Sequence, residues 1–531
     1  MSATGEGQGD AATSRPPLRT LCAVLLSAVS GGLVGLAFPY PGAAFLAWFG
    51  AAPFLYALLR AHRPRRAALC GFVFGFVLWV KTFLFLAIFG RLAVVLAGAL
   101  GGVHTMVTAL AIYMLVTRRP APWRAVALAP ALWVVGEWLR SLGPLGVSWA
   151  DLGYSQMCSL AMIQITSVIG AFGLSYLVAV TNVALAHLLL HGWSRPLVAI
   201  AAAPPIVCIA FGTVALARHP ESDVGSEGVP VTVIEAPSVN TPLRSGPRPG
   251  PAAQVSVFGG YTGSPEVPAG GLVVWPESAV GWDVIDTAVL RRGVAAIAQR
   301  KPTYLLFGFN EEDEQGRDYN SAVVFGPDGE PTGVHRKTKL LVMGEQVPQV
   351  LRELLGPLLK QYGVPEHDTT PGHGFHAIRA GEFRVAPLIC YESLFSRPAR
   401  ISVAKGANLI VIVTNDGWFG PSAAGVIHAR LAAVRAVENR TPVARAACTG
   451  CSQFVDSYGR ITQPTGLMNT KDRIITTHIA PDRAGTPGSI YTRLGDVILW
   501  LSSALVALAL VTEIAGCIRR RRCPEGPTTL A

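Results

Sequence analysis

The chain has 531 residues, 51% of them hydrophobic and only 15% charged, whereas ordinary soluble domains carry about 25% charged residues. That deficit excludes an ordinary soluble enzyme and points to a membrane protein. The net charge of +11 comes largely from arginine clusters beside apolar runs. It does not form the basic stripe with interleaved aromatics that nucleic-acid binding requires.

Residues 1–17, rich in Gly, Ala, Ser and Thr, read as a disordered cytoplasmic N-terminus. Apolar runs long enough to cross about 30 Å of hydrocarbon then begin near Leu18, Ala43, Ala68, Leu92, Trp123, Leu160 and Leu197, giving seven expected transmembrane helices over residues 18–217. An eighth begins at Asp496 and fills 496–518, ahead of a cytoplasmic tail at 519–531. The first run follows Arg15 and Arg19 as a signal peptide would. It lacks a small-residue cleavage site and six further spans follow, so an uncleaved anchor is expected.

Lys and Arg are retained on the cytoplasmic side of short loops. Arg15, Arg19, Arg60, Arg63, Arg65, Arg66, Arg118, Arg119, Arg124 and Arg519 to Arg522 all fall on one side if the N-terminus is inside. An odd number of spans then carries residues 229–480 to the outer face. Lys81, inside the third run, marks a functional cation or one that snorkels to the surface.

From Val229 the pattern changes to short β-rich runs alternating with helical ones, which predicts an α/β layered fold. Strands are expected at Val231–Glu235, Gly271–Trp275, Tyr304–Phe309, Ser321–Phe325, Phe383–Ile389 and Asn408–Thr414, and helices at Thr287–Arg300 and His428–Asn439. Thr241–Ala253, dense in proline, reads as a loop or a low-complexity insert. Val347, Val350, Leu351, Leu354, Leu355, Leu358 and Leu359 recur at helical spacing. That stripe either packs on the domain's own sheet or serves as an arm in the outer leaflet or a lid.

Of the nine cysteines, Cys22, Cys70, Cys208 and Cys517 lie in or beside spans, where a thiol acts as a small apolar side chain. Cys448-Thr449-Gly450-Cys451 has the spacing of half a zinc site or a redox pair. No second pair completes a zinc site, and a local disulfide or two free thiols remain as readings.

Three stretches of the soluble-looking region carry chemistry: Trp275-Pro276-Glu277-Ser278, His335-Arg336-Lys337 and Ile389-Cys390-Tyr391-Glu392-Ser393. Glu277, Cys390 and Asn415 each follow an apolar strand, where open α/β folds place their reactive groups. A carboxylate, an ammonium and a thiol together suit acyl transfer: the thiol attacks, the carboxylate carries its proton, and the ammonium with the backbone N–H of Tyr391 holds the oxyanion. The flanking spans suggest a substrate drawn from a membrane.

These residues resemble the Glu-Lys-Cys triad of the carbon-nitrogen hydrolase (nitrilase) superfamily, and the whole arrangement is similar to its membrane branch, the apolipoprotein N-acyltransferases. The resemblance runs from Leu18 to Ile518. It rests on Trp-Pro-Glu-Ser, Tyr319-Asn320-Ser321, Lys337 with Gly344-Glu345, Ile-Cys-Tyr-Glu, Thr414-Asn415-Asp416-Gly417-Trp418-Phe419-Gly420, Arg435-Ala436-Val437-Glu438-Asn439-Arg440 and Tyr491-Thr492-Arg493-Leu494-Gly495-Asp496, and in the membrane half on Glu137-Trp138-Leu139-Arg140 and Gly153-Tyr154-Ser155-Gln156. It implies a multi-span helical membrane domain joined to an extracytoplasmic αββα sandwich in a bacterial inner membrane. It also implies Glu277, Lys337 and Cys390 as the triad, Glu345 supporting the lysine, Tyr391 and Glu392 at the pocket mouth, and Asn320, Asn415 and Trp418 as further support.

The implied reaction moves a fatty acyl group from a phospholipid, through a Cys390 thioester, to the α-amine of a diacylglyceryl-cysteine lipoprotein, with no cofactor, metal or nucleic acid. A membrane-tethered amidase using water as acceptor is the alternative. Two stretches depart from the family pattern: Leu340-Leu341-Val342-Met343 before Gly344-Glu345, and Glu235-Ala236-Pro237 after the first strand. Both are expected to bear on acyl-chain or head-group preference rather than on the chemistry.

Overall fold

The computed structural model describes residues 18–38, 41–117, 121–239, 249–349, 352–353, 356, 367–420, 422–466, 471–481 and 488–522. Every apolar run named above is helical. Among the described residues five helices are long and apolar enough to cross a membrane, namely Thr20–Ala37, Arg91–Thr117, Thr166–His191, Arg195–Arg218 and Val497–Ile518, and they make this a multi-pass membrane protein. The second run is broken into a 3-10 turn at Pro41–Leu46 and short helices at Ala47–Gly50 and Ala52–Leu59. The third and fifth are helices at Pro64–Thr82 and Pro122–Arg140 whose ends carry Arg65, Arg66 and Lys81, and Arg124, Glu137 and Arg140. Pro64 and Pro122 open these helices at their first turn, where a missing N–H costs nothing. Lys81 sits in the last turn of its helix with its stem against Gly35.

Outward-facing Leu96, Val103, Val107, Ile206, Val207, Ile209, Leu501, Leu508 and Val511 are exposed, as lipid-facing side chains must be in an apolar solvent. Helix Thr166–His191 kinks at Gly170, whose φ is +68°. A Cβ there would lie 2.4 Å from the Tyr491 ring, so both the backbone conformation and the close approach require glycine.

Among the described residues the second part of the chain carries thirteen strands: β1 Val224–Gly225, β2 Val229–Glu235, β3 Leu272–Val274, β4 Tyr304–Glu312, β5 Asp318–Phe325, β6 Pro331–Arg336, β7 Ile378–Ala380, β8 Phe383–Ile389, β9 Leu409–Thr414, β10 Val443–Ala447, β11 Gln453–Val455, β12 Ile461–Thr462 and β13 Arg473–Ile479. They form two sheets, ordered β1-β13-β2-β3-β4-β5-β6 and β12-β11-β10-β9-β8-β7. Alternation along each strand decides what each face covers. Val231, Val233, Leu272, Val274, Leu306 and Val324 of the first sheet meet Val385, Ile389, Leu409, Val411, Val413 and Ala444 of the second. The opposite face of the first sheet, with Val273, Trp275, Leu305, Phe307 and Phe325, packs on helices Pro251–Thr262 and Ala288–Arg300 through Val255, Phe258, Val294 and Ile297. Leu388, Ile410 and Ile412 on the far side of the second sheet join helices Ser396–Ala404 and Ala423–Asn439 in a core continuous with the membrane helices. The result is helix, sheet, sheet, helix, with the last layer resting on the membrane domain.

The six expected strands are present: β2, β4 and β5 run two or three residues further than expected, β8 has the expected bounds, and β3 and β9 are shorter by two residues and one. Helix Ala423–Asn439 starts five residues before the expected His428. Strands β6, β7 and β10 to β13 carry polar or small residues that hide the period-2 signal, and β1 places the sheet's edge ahead of the expected boundary at Val229. The expected loop at Thr241–Ala253 is corrected at its end: Pro251 opens a helix, because proline suits a first helical turn as well as a loop. Residues 240–248 lie outside the described residues, as does most of the Val347–Leu359 stripe, of which Val347 is buried.

Candidate active site

Glu277 follows β3, Lys337 follows β6, and Cys390 follows β8, so three strand ends supply the three groups. Lys337 Nζ lies 3.1 Å from Glu277 Oε1 and 2.8 Å from Glu345 Oε1. Asn320, on β5 beside β6, donates from Nδ2 to the same two oxygens at 2.9 and 2.7 Å. Glu277 Oε2 accepts the Asn415 N–H at 2.9 Å, which ties β9 to the cluster. The Glu345 carboxylate also closes its own loop by accepting the Leu341 N–H at 2.7 Å. Within that loop Met343 adopts φ +65°, a strained conformation for a residue other than glycine, at one of the departures from the family pattern. At the other departure, buried Glu235 accepts hydrogen bonds from Ser452 N and Thr465 Oγ1.

Cys390 is 6% exposed. It has φ +50°, and Ser278, the residue after Glu277, has φ +49°, so the chain passes through a left-handed residue at Cys390 and just past Glu277. Such strain persists only where neighbours over-determine the conformation. Gly308 on β4 packs against the Glu277 turn so closely that a Cβ would sit 2.6 Å from Ser278 N. Burial pushes the Cys390 thiol up, and the Glu277 charge pushes it further, against the opposing pull of Lys337 and a hydrogen bond with Thr414. Burial works against the Lys337 ammonium, but the Glu277 and Glu345 carboxylates outweigh it and hold the lysine above its ordinary range. The resting site therefore pairs a neutral thiol with an ionised lysine. Nucleophilic attack requires a base to take the thiol proton, and the Glu277 carboxylate is within electrostatic reach.

Glu392 is not at a pocket mouth. It is fully buried and accepts from Thr338 N at 2.6 Å, Thr338 Oγ1 at 2.8 Å and Ile389 N at 2.9 Å, with His335 Nε2 also at 2.9 Å. These bonds lock the segment after Lys337 to the residue before Cys390. Burial opposes its charge, but His335 and the backbone donors prevail and hold the carboxyl below the usual range. Tyr391 is also buried, and its hydroxyl donates to Gly146 O of a membrane-domain loop at 2.9 Å. Trp418, on the turn Asp416–Phe419, is 45% exposed. Beside it Phe419 meets Phe85 and Trp149 of the membrane half, each with ring centroids 5.5 Å apart.

The catalytic layer is fixed to the membrane helices at further points. Tyr154 Oη donates to Leu394 O and accepts from Arg435 Nη2, both at 2.9 Å. Glu438 Oε1 accepts the Ala171 N–H at 3.1 Å. Gln164 Nε2 donates to Tyr458 O at 2.8 Å.

Several contributors escaped the sequence reading. His335 and Asp416 stand inside the singled-out motifs with no role given to them, and Thr338, His428 and Arg445 are not named as site residues. The one available signal was a polar side chain between apolar neighbours, as at His428 between Ile427 and Ala429. Cys448 and Cys451 are buried, and neither forms a disulfide in this structure. No group of three or more His, Cys, Asp or Glu among the described residues is placed to hold a metal ion.

Residues 269–486 match the carbon-nitrogen hydrolase domain and residues 30–184 the apolipoprotein N-acyltransferase N-terminal domain. The apolipoprotein N-acyltransferase of Geobacter metallireducens is 32% identical over 512 residues, covering 92% of this chain and 94% of its own. That of Gloeobacter violaceus is 29% identical over 520 residues, covering 95% and 96%. The crystal structure of an amidase from Nesterenkonia sp. is similar at 17% identity and a TM-score of 0.36, covering 49% of this chain and 93% of the amidase.

Proposed function

The chain belongs to the apolipoprotein N-acyltransferase family, and we propose from that membership and the site geometry that it acylates lipoproteins by a two-stage transfer on Cys390. In the first stage Glu277 takes the thiol proton while Cys390 Sγ bonds to the ester carbonyl of a phospholipid. Lys337 and the Tyr391 N–H hold the oxyanion. Collapse breaks the ester C–O bond, and Glu277 returns the proton to the departing lysophospholipid oxygen, leaving a thioester. In the second stage the α-amino group of a diacylglyceryl-cysteine attacks that thioester. Glu277 takes the amine proton, the C–S bond breaks, and the proton returns to Cys390.

The observation that carries this reading is the seating of the nucleophile's turn on the membrane half. Tyr391 and Leu394, one and four residues after Cys390, bond to Gly146 and Tyr154. Such seating favours a donor that lives in lipid over one from water, and a site closed against water would protect the thioester from the acceptor an amidase needs. Asn320 and Glu345 position Lys337, Asn415 positions Glu277, and Trp418 lies at the rim. The basic loops support a catalytic domain on the extracytoplasmic face, the reading that takes seven spans before it and one after.

The test is incubation of purified protein with labelled phospholipid, first alone and then with a diacylglyceryl-cysteine peptide. A hydroxylamine-labile adduct on Cys390 that the peptide discharges as amide is expected. Free fatty acid as the sole product would favour the amidase, and turnover by Cys390→Ala would overturn the mechanism. Lys337→Met is expected to slow adduct formation by roughly two to three orders of magnitude, as loss of an oxyanion donor commonly does.

A further inference from the structure

We infer that His428 is a positioning residue of this acyl transfer: by gripping the Cys390 carbonyl from behind, it aims the Tyr391 N–H of the same peptide at the oxyanion. The inference rests on the acyl-transfer reading and adds a residue to it.

His428 lies on helix Ala423–Asn439 and is 1% exposed. Its Nε2 is 3.1 Å from Cys390 O and 2.9 Å from Ser393 Oγ. Ser393 Oγ donates to the same carbonyl at 2.8 Å, so two side chains converge on one oxygen. On the other side of the ring Nδ1 is 2.8 Å from Asp416 Oδ1. Arg445 Nη2 donates to Asp416 Oδ2 at 2.7 Å and lies 3.2 Å from Nδ1. Burial opposes the Asp416 charge, but Arg445 and His428 outweigh it and hold that carboxyl well below its usual range. The Cys390 carbonyl can only accept, so Nε2 is the nitrogen that donates to it, while Nδ1 is held on the far side between Asp416 and Arg445. The Trp149 and Phe419 rings, at 6.3 and 5.9 Å between centroids, complete the enclosure.

The consequence follows from peptide geometry. A trans peptide is planar with its C=O and N–H pointing in opposite directions, and there are no cis peptide bonds among the described residues. The carbonyl of Cys390 and the N–H of Tyr391 belong to one such plane. Gripping the oxygen on the protein side turns the N–H to the opposite side, and a hydrogen-bonded carbonyl also makes its own N–H a stronger donor. The left-handed φ of Cys390 needs such over-determination. His428 reaches a carbonyl and not the sulfur, so it is no second base for the thiol. Its effect falls on the step that builds an oxyanion.

That selectivity defines the experiment. Cys390 is assayed for adduct formation from labelled phospholipid and, separately, for alkylation by iodoacetamide, which needs the thiol but forms no oxyanion. His428→Asn keeps a polar group toward Asp416 and loses reach to the carbonyl, whereas His428→Gln restores a donor near Nε2. Adduct formation is expected to fall about tenfold or more in His428→Asn and to recover largely in His428→Gln, while alkylation in both stays within about twofold of wild type. Should His428→Asn fail to fold, Ser393→Ala, which removes the other donor to the same carbonyl, must show the same split. Equal adduct rates in the variant and wild type, or a parallel fall of alkylation and adduct formation, would overturn the inference and leave the acyl-transfer reading intact. A wild-type protein that forms no adduct would overturn both.

Discussion

Replacing Glu392 with Gln distinguishes a buried clamp from a residue at the pocket mouth. In the wild type one carboxylate oxygen holds both Thr338 donors, and the other holds Ile389 N–H and faces His335. With the Gln carbonyl toward Thr338, those two bonds survive as neutral ones, each weaker by about 1 kcal/mol than a bond to a charge. The amide nitrogen then confronts the Ile389 N–H, donor against donor, and an orphaned buried N–H costs about 1–3 kcal/mol. His335 can adapt by turning a bare Nε2 to the amide, since its Nδ1 has no partner among the described residues. The sum is roughly 3–5 kcal/mol, which for a domain of this size corresponds to a fall of about 10 °C in melting temperature. The assay is thermal unfolding in detergent, followed by tryptophan fluorescence and repeated across pH.

The folded carboxyl lies below its ordinary value of 4.5. Its contribution is therefore fully present above pH 4.5 and lost as pH falls through the depressed folded value. Glu392→Gln should melt earlier at neutral pH and show a shallower decline on acidification. Unchanged stability together with a weakened affinity for the phospholipid donor would refute the clamp and return Glu392 to the mouth.

Tyr154→Phe removes a hydroxyl that bonds to both Leu394 O and Arg435. It should cost about 1–3 kcal/mol and raise the rate at which limited proteolysis separates the two halves; an unchanged cleavage pattern would show that this contact does not couple them. Because burial and Glu277 raise the Cys390 thiol above its ordinary value of 9.0, the fraction ionised grows with each step in pH. Its alkylation rate in detergent should therefore climb about tenfold per unit up to pH 9 without levelling; a plateau near neutrality would contradict the neutral resting thiol. A cysteine at exposed Glu266, on the catalytic domain, should react with a membrane-impermeant maleimide in cells whose inner membrane is intact. Labelling only after lysis would reverse the proposed orientation.

The sequence by itself determined whatever local chemistry and periodicity encode. Apolar length marked the helical runs. The β-branched, two-faced Leu409–Thr414 marked a strand buried on both sides, Glu277 and Cys390 stood out as candidates because each sits in a short motif just past an expected strand, and Lys337 stood out by its motif alone. Strands such as Gln453–Val455 and Arg473–Ile479 were not, because their side chains alternate too weakly for burial to be read before the partner surface exists. Nor could spacing reveal that Asn320 bridges Glu277 and Glu345, 43 and 25 residues away, or that Glu392 faces inward to His335, 57 residues back. The hydrogen-bond partner of a buried polar group is chosen by the packing of distant strands, and no local rule carries that information. Only the tertiary structure decided that the residues around Cys390 are held from the membrane side by Gly146 and Tyr154 and from behind by His428, because those contacts arise where the second sheet's helical layer meets the membrane helices.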